Sequence, residues 1–316
     1  MRAIIVDNGS LVVGVVERPE LGPDDIRIAV RATSVNRADL LQREGRYPPP
    51  PGASPVIGLE CAGVVSEVGA NVRGWTVGDR AMALLPGGGY AEEVAVHAGS
   101  AMHVPDALTD EEAAAFTEVF LTAFLNLFLL GKVRAGESAL VHGGGSGVGT
   151  AAITLLKLAD VRAFVTAGSA EKCARCLAHG ADVAINYREQ DFAEVARGVN
   201  VILDHIGARY LPRDLQALAT GGRIVIIGSM GGEPAATIDV VQLLGKRAQL
   251  IGSTLRARPV DEKAELVAAF LARFGDDLQA GRIRPVIHEV LPLERAMDAH
   301  RLMEASEHFG KIVLRV

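Results

Sequence analysis

Two different patterns of hydrophobic and polar residues divide the chain. Up to about residue 104, apolar and polar residues alternate in short runs that turn residues separate. In residues 25–31, for example, Ile26, Ile28 and Val30 alternate with more polar neighbours. Alternation with a period of two is typical of a strand with one buried face. The first part of the chain is therefore predicted to be a β-rich domain.

Beyond residue 117, short aliphatic runs alternate with helical patterns. Six runs are predicted to be strands: residues 139–142, 163–166, 183–186, 201–204, 223–228 and 249–251. Strands that alternate with helices need crossover connections, which favour a parallel sheet covered by helices on both faces. The fold class predicted for this part is α/β, a doubly wound sheet of the kind that binds cofactors.

The last segment changes pattern again. Helices are predicted over residues 261–274 and 293–305, and a closing strand over residues 311–316. Because no neighbour for that strand is predicted within the segment, it is expected to return to the N-terminal β-rich domain. The predicted domains are residues 1–116, completed by 254–316, and residues 117–253.

Charge and composition exclude several functions. The chain has 316 residues, 49% of them hydrophobic, and a net charge of −6 without long Lys/Arg clusters. A principal nucleic-acid partner is therefore not expected. The longest apolar run, residues 113–130, contains Thr117, Glu118, Thr122 and Asn126, so it is predicted to be a buried helix rather than a membrane span.

The location is expected to be cytoplasmic. The first residues are strand-like, without the apolar core of a signal peptide. Three cysteines, Cys61, Cys173 and Cys176, make no disulfide framework and suit a reducing compartment. The C-x-x-C pair at 173 and 176 lies in a helical pattern, and a zinc site would need two further ligands.

The most informative motif follows the strand predicted at residues 139–142. A glycine-rich turn there leads into a helix, an arrangement that presents free N–H groups and the helix dipole to a pyrophosphate. Its spacing is G-x-x-G-x-G rather than the strict dinucleotide pattern G-x-G-x-x-G. A glycine turn that binds nothing is the alternative. The expected cradle consists of Gly144, Ser146, Gly147, Val148 and Gly149.

The end of the next strand favours NADP over NAD. No carboxylate stands at that strand end to accept a ribose 2′-OH. Gly168 leaves room for a 2′-phosphate, while Ser169 and Lys172 offer a hydrogen bond and a positive charge. An ordinary turn, with Ser169 capping the helix and Lys172 solvated, is the alternative. The charge of Glu171 opposes the NADP interpretation.

Several motifs together resemble the medium-chain dehydrogenase/reductase superfamily. They are Asn36, Asp39, Tyr47, the segments 58–65 and 77–80, and the glycine turn. The chain is similar to the zinc-free quinone oxidoreductases related to zeta-crystallin, and segments 47–51 and 166–172 resemble their p53-inducible branch. The resemblance implies a GroES-like β-rich domain, a Rossmann domain and an active-site cleft between them.

The resemblance also implies that both zinc sites of the related alcohol dehydrogenases are missing. Those enzymes bind the catalytic metal through a histidine of a G-H-E motif, whereas this chain has Gly58-Leu59-Glu60. Arg80 is followed by Gly88 after a short loop that lacks the cysteine cluster of the structural zinc site. No metal is therefore expected.

Further cofactor contacts are carried over from the family. The resemblance implies that Tyr187 approaches the adenosine phosphate and that the loop with Gly228 and Ser229 lies beside the nicotinamide ribose. Phe309 and Lys311 belong to the closing segment that is expected to touch the cofactor from the other domain. His205 stands where a small or apolar residue is expected, and its role stays open.

Three residues are candidates for the chemistry. Asn36 could hold the nicotinamide amide or an acceptor oxygen, Tyr47 offers a flat surface and a phenolic proton, and Thr122 offers a hydroxyl. Each has a structural alternative: Asn36 as a helix cap, Tyr47 as packing for the prolines, and Thr122 bonded to a backbone carbonyl. Asp39 is a weaker candidate, because helix dipoles favour acids in a first turn.

The predicted function is hydride transfer from NADPH to a quinone or similar conjugated carbonyl, without metal. Reduction of the C=C bond of an enone, enal or enoyl thioester is the nearest alternative. A non-catalytic NADPH-binding sensor or scaffold is a third. The resemblance further implies a homodimer that pairs strands near residues 249–252.

Overall fold

The computed structural model describes residues 1–316, which form two compact units. Met1–Leu121 and Leu255–Val316 form the first unit, and Thr122–Thr254 form the second. The boundary falls inside a helix, Thr117–Phe124, some residues beyond the position predicted from the sequence.

Fifteen strands and ten α-helices make up the two units. The strands are β1 (Arg2–Asp7), β2 (Ser10–Val15), β3 (Asp25–Ser34), β4 (Glu60–Val68), β5 (Arg80–Leu84), β6 (Glu93–His97), β7 (Ala101–His103), β8 (Ser138–Val141), β9 (Arg162–Ala167), β10 (Val183–Asn186), β11 (Val199–Asp204), β12 (Leu218–Ile226), β13 (Gln249–Gly252), β14 (Ile287–Pro292) and β15 (Lys311–Arg315). The helices are α1 (Arg37–Arg43), α2 (Asp110–Ala114), α3 (Thr117–Phe124), α4 (Gly147–Leu158), α5 (Ala170–His179), α6 (Phe192–Val195), α7 (Leu211–Ala217), α8 (Val240–Lys246), α9 (Val260–Gln279) and α10 (Ala296–Ala305). None of them is both long and apolar enough to cross a membrane.

The first unit is built on a sheet of seven strands. Their order is β14-β15-β3-β4-β5-β7, with β6 also paired to β3, and β1 and β2 form a separate hairpin. In β3, Ile26 and Ile28 are fully buried in the core as the alternation predicts, but Arg27 between them is also only 4% exposed. This unit corresponds to the predicted β-rich domain.

The closing strand joins that sheet as predicted. β15 pairs antiparallel with β3, with Val313 opposite Ser34. The expectation that β15 lacks a neighbour in its own segment is wrong, however, because β14 pairs with it in parallel. Most of β14 is exposed, so its sequence lacks the alternation that marks a half-buried strand.

The second unit is a six-stranded sheet in the order β10-β9-β8-β11-β12-β13. All neighbouring strands are parallel, which confirms the predicted doubly wound α/β class. Counted from β8, this order is 3-2-1-4-5-6, that of the Rossmann fold. The strand order reverses between β8 and β11, and ligands of such sheets bind at this switch point.

The predicted single helix over residues 113–130 is wrong in detail. α2 ends at Ala114, α3 follows, and Leu125–Leu130 form a π-helix in which Gly131 N–H donates to Asn126 O at 2.9 Å. The Asn126 side chain donates to Thr122 O at 2.7 Å, so it competes for an acceptor of the regular helical ladder. No glycine or proline marks this change in the sequence.

Candidate functional site

The glycine turn of the second unit presents unpaired backbone donors. Ser146 caps α4, and its Oγ accepts the Gly149 N–H at 3.0 Å. Gly147 and Val148 occupy the first two helical positions, whose N–H groups have no partner within the helix. The positive end of the α4 dipole lies behind these donors. The turn can therefore bind an anion such as a pyrophosphate.

Close packing explains why glycines occupy this turn. A Cβ on Gly149 would lie 2.3 Å from Gly143 O and 2.7 Å from Gly144 Cα. A Cβ on Gly144 would lie 2.7 Å from Val165 Cβ, on the neighbouring strand. Gly143 has a φ of +68°, which few other residues adopt. Side chains at 144 and 149 would therefore force the turn apart.

A buried polar network is hydrogen-bonded to the glycine turn. Thr166 Oγ1 accepts the Gly143 N–H at 3.2 Å and lies 3.1 Å from His142 Nδ1. His142 Nε2 lies 2.8 Å from Asp214 Oδ1, and all three side chains are almost fully buried. The sequence pattern does not indicate this network. His142, directly before the glycines, was the available signal, whereas Asp214 lies 72 residues away.

A second buried acid lies next to this network. Asp204, at the end of β11, accepts the N–H groups of Ile206 and Gly207 at 2.6 and 2.9 Å. Burial, followed by the charge of Asp214, raises its pKa to about 6. Asp204 thus fixes the loop that carries His205, at the carboxyl end of the sheet.

His205 itself lies against the glycine turn. A Cβ on Gly143 would come within 2.5 Å of His205 Cε1. The His205 carbonyl accepts the Met230 N–H at 2.9 Å, which ties this loop to the loop of Gly228 and Ser229. The structure therefore brings Gly228 and Ser229, in the loop after β12, close to the glycine turn, with His205 between that loop and the turn.

Gly168, Ser169 and Tyr187 lie together after β9 and β10. A Cβ on Gly168 would lie 2.7 Å from Tyr187 Oη, so a larger residue here would require the exposed Tyr187 side chain to shift. Ser169 Oγ accepts the Lys172 N–H at 3.2 Å, as the capping alternative predicted. Its hydroxyl hydrogen can still be donated to a ligand. Lys172 is partly exposed in the first turn of α5.

In the first unit, Asn36 belongs to a buried network around Glu60. Glu60 is fully buried, and its carboxylate accepts five hydrogen bonds. The donors are Ser34 Oγ (2.6 Å), Asn36 Nδ2 (3.0 Å), Lys311 Nζ (3.0 Å), Thr117 Oγ1 (3.3 Å) and the Glu118 N–H (2.9 Å). These five donors fix the Glu60 carboxylate in one orientation.

The network changes the roles of two predicted residues. Lys311 Nζ also donates to Val35 O at 2.9 Å and to Asn36 Oδ1 at 2.6 Å, which accounts for all three of its N–H groups. No N–H of Lys311 is left for a cofactor, and we therefore propose that it positions Asn36. Asn36 retains one weakly used N–H, 3.4 Å from Ser34 O. Phe309 is buried within the same unit.

Tyr47 and Thr122 carry hydroxyl groups that make no hydrogen bond within the protein. Tyr47 lies in the first unit, half-buried, with the Arg256 guanidinium 5.2 Å from its ring centroid. Burial raises the pKa of Tyr47. Thr122 lies in the second unit and is 8% exposed, and the predicted alternative of a bond to a helix carbonyl is not observed. Both hydroxyls are therefore available to a ligand.

Asp39 is a strongly perturbed acid in direct contact with Asn36. It is fully buried in α1, where Oδ2 accepts the Asn36 N–H at 2.7 Å and lies 3.3 Å from Tyr90 Oη. Tyr90 Oη is 3.2 Å from His300 Nε2, and burial lowers the pKa of His300 to about 3. Burial raises the pKa of Asp39 to about 7. Asp39 therefore titrates near neutral pH.

We expect Asp39 to make the first unit less stable as the pH rises. Its carboxyl keeps a proton up to about pH 7 when folded but loses it near pH 4 when unfolded, so stability is lost between these values. Between pH 5 and 8 the wild type should lose about 3 kcal/mol relative to Asp39→Asn. Urea unfolding followed by the fluorescence of the single tryptophan, Trp75, measures this.

The exposed Asp106 provides the matched control, because Asp106→Asn should follow the wild type at every pH. Parallel stability curves of wild type and Asp39→Asn across this range would show that Asp39 is charged in the folded protein.

Comparisons with known proteins agree with both units. Residues 22–106 match the alcohol dehydrogenase GroES-like domain, and residues 179–314 match the zinc-binding dehydrogenase family. The quinone oxidoreductase from Thermus thermophilus, solved also in complex with NADPH, is similar over 100% of both chains, with a TM-score of 0.84 and 32% identity.

Two curated relatives differ in length. The human synaptic vesicle membrane protein VAT-1 homolog is 32% identical over 317 residues, which cover 94% of this chain and 80% of the relative. A phenolphthiocerol/phthiocerol polyketide synthase subunit of Mycobacterium tuberculosis is 32% identical over 93% of this chain, which spans only 14% of the synthase. The fold, the nucleotide turn and these matches lead to one family. The chain belongs to the medium-chain dehydrogenase/reductase superfamily of oxidoreductases.

Proposed function

We propose that the protein is an NADPH-dependent quinone reductase that transfers hydride without a metal. The observation that carries this proposal is the open anion-binding turn at the start of α4, where Gly147 and Val148 present unpaired N–H groups. The similar Thermus thermophilus enzyme is a quinone oxidoreductase with a structure in complex with NADPH. Within the superfamily, we place the chain with the zinc-free quinone oxidoreductases and their p53-inducible branch.

Bound NADPH would supply the hydride, and the chain would supply orientation and hydrogen bonds. We propose catalytic roles for the free hydroxyls of Tyr47, in the first unit, and Thr122, in the second, because each is a donor of the kind that stabilises negative charge developing on an acceptor oxygen. Asn36 is held rigidly by Glu60 and Lys311, so its remaining N–H has a fixed direction. Preorganised donors of this kind stabilise charge without having to reorganise.

The metal-free part of the proposal rests on the chemistry of position 59. Leu59 has a hydrocarbon side chain, is 1% exposed and offers no ligand atom where the related dehydrogenases carry histidine. The loop between Arg80 and Gly88 contains no cysteine. Elemental analysis of active protein tests this part, and stoichiometric zinc would contradict it.

The preference for NADP rests on the end of β9. Ala167 ends the strand, and Gly168, Ser169 and Lys172 follow without a carboxylate at the strand tip. We expect Lys172→Gln to weaken NADPH binding about tenfold, because it removes a charge near the 2′-phosphate, and to leave NADH binding unchanged. Fluorescence titrations with both nucleotides measure this.

The control for Lys172 is Lys132→Gln, which removes an exposed positive charge elsewhere in the second unit. It should bind both nucleotides as the wild type does. Tighter binding of NADH than NADPH by the wild type would overturn the assignment of this strand end.

Reduction of a conjugated C=C bond is the second candidate function, because the chain is also similar to part of a polyketide synthase. The deciding experiment follows NADPH absorbance with ortho- and para-quinones, enones and a crotonyl thioester. Turnover of quinones at a higher kcat/KM supports the proposal, and turnover of enones or the thioester alone supports the alternative. Tight NADPH binding with no turnover on any acceptor would identify the chain as a sensor or scaffold.

We further propose a homodimer in the cytoplasm. β13 is the edge strand of its sheet, and α8 beside it exposes Val240, Val241 and Leu244 to 60%, 80% and 70%. A second copy pairing along β13 would cover this edge and these side chains. The three cysteines are unpaired, as is usual in a reducing compartment.

A further inference from the structure

A cavity of about 280 Å³ lies within the first unit, outside the network around Glu60. Its walls are the proline turn at residues 50–53, Pro86, the segment 256–258 and Lys263. We call it the proline-turn cavity. Lys263 also lines a second cavity of about 250 Å³, together with Asp25 and other residues.

Two buried cations face this cavity without an ion-pair partner. Arg256 is 4% exposed and Lys263 is 5% exposed. No carboxylate oxygen lies within 4.0 Å of either group, whereas most other arginines of this unit form such pairs. Burying an unpaired cation is costly, and proteins usually avoid it unless a ligand supplies the counter-charge.

The acids that interact with these cations do not replace that counter-charge. Glu118 and Asp39 interact with Arg256 only beyond ion-pair distance, and Glu118 does the same with Lys263. Burial raises the pKa of Glu118 to about 8, so this carboxyl is mostly protonated at neutral pH. No acidic residue lines the proline-turn cavity, so its walls supply basic side chains and no carboxylate.

Structural hydrogen bonds do not use all the donors of these cations. Arg256 donates to Pro86 O at 2.8 Å, to Tyr47 O at 3.2 Å and to Gln42 Oε1 at 2.5 Å, which accounts for three of its five N–H groups. Lys263 donates only to Arg256 O at 2.8 Å, which accounts for one of three. The hydrogen bonds that anchor the proline turn explain in part why Arg256 is buried. They do not explain why the Lys263 ammonium is buried.

We propose that the proline-turn cavity binds an anionic group of the acceptor, a phosphate, sulfonate or carboxylate, through Lys263 and Arg256. Arg256 also faces the ring of Tyr47, so an acceptor bound near Tyr47 could place its charged tail here. This inference rests on the proposed reductase function and narrows its substrate class to acceptors that carry a negative charge.

Matched acceptors with and without the charge test the proposal kinetically. The pairs are 1,4-naphthoquinone-2-sulfonate against 1,4-naphthoquinone, and crotonyl-coenzyme A against the crotonyl thioester of N-acetylcysteamine. In Lys263→Met, the ratio of the KM for the charged member to the KM for the neutral member should rise about tenfold for the pair that the enzyme reduces. Lys132→Met, which removes an exposed charge in the other unit, should leave both KM values unchanged. An unchanged ratio in Lys263→Met overturns the proposal.

A binding measurement separates this inference from the reductase function itself. Calorimetric titration with inorganic pyrophosphate, and with malonate as a carboxylate probe, needs no turnover. The wild type should bind one more anion than Lys263→Met, and Lys263→Gln should behave like Lys263→Met. If the wild type reduces no acceptor and this difference persists, the anion site stands and the reductase proposal fails. Equal stoichiometry in all variants would contradict the proposed anion site. If the site binds an anion, the probe that binds more tightly indicates whether the site prefers a phosphate or a carboxylate.

Discussion

We expect Gly149→Ala to weaken NADPH binding about 100-fold, the largest effect of any single methyl group in the second unit. The new Cβ would lie 2.3 Å from Gly143 O and 2.7 Å from Gly144 Cα. Both contacts are with backbone, which cannot swing away as a flexible side chain does. The turn would have to open by about 1 Å to reach ordinary van der Waals distance. That movement would misdirect the N–H groups of Gly147 and Val148.

Fluorescence titration with NADPH measures the loss, and far-UV circular dichroism checks that the variant is folded. Gly245→Ala is the matched control, because Gly245 lies in α8 of the same unit and its Cβ would meet nothing within 4 Å. This control should bind NADPH normally and gain about 0.5–1 kcal/mol of stability from its higher helix propensity. Wild-type affinity in a folded Gly149→Ala variant would show that the nucleotide does not use this turn.

The turn could be predicted from the sequence because its determinants are local. A strand, a run of glycines, a capping serine and a helix follow one another within residues 138–158, and each has its own sequence preference. The parallel sheet could be predicted for the same reason, since each strand is a short aliphatic run between helices. The lack of a ligand atom at position 59 likewise follows from the residue type alone, because leucine has a hydrocarbon side chain.

The supporting contacts could not be predicted, because they join distant parts of the chain. Lys311 Nζ and Asn36 Oδ1 are separated by 275 residues, and His142 and Asp214 by 72. Periodicity reports which face of a strand is buried, but it carries no information about which polar groups meet there. The resemblance implies that Lys311 touches the cofactor, whereas its three N–H groups are used inside the first unit.

The same network gives the second large effect, which concerns stability. We expect Glu60→Gln to destabilise the first unit by about 3–5 kcal/mol, because it leaves the Lys311 ammonium buried without its counter-charge. Lys311→Met should also destabilise, since Glu60 would keep a buried charge with one donor fewer. The double variant should be more stable than the two single effects predict, by at least about 2 kcal/mol, because neither charge is then left alone.

Urea unfolding followed by Trp75 fluorescence measures all three variants, since Trp75 lies in the first unit. The control cycle uses Arg295 and Asp298, which form a 2.8 Å ion pair with both side chains more than a third exposed. Solvent screens such a pair, so its coupling should stay below about 1 kcal/mol. If the Glu60 and Lys311 effects simply add, the two residues act independently, and the rigid placement of Asn36 must then come from its own helix rather than from this ion pair.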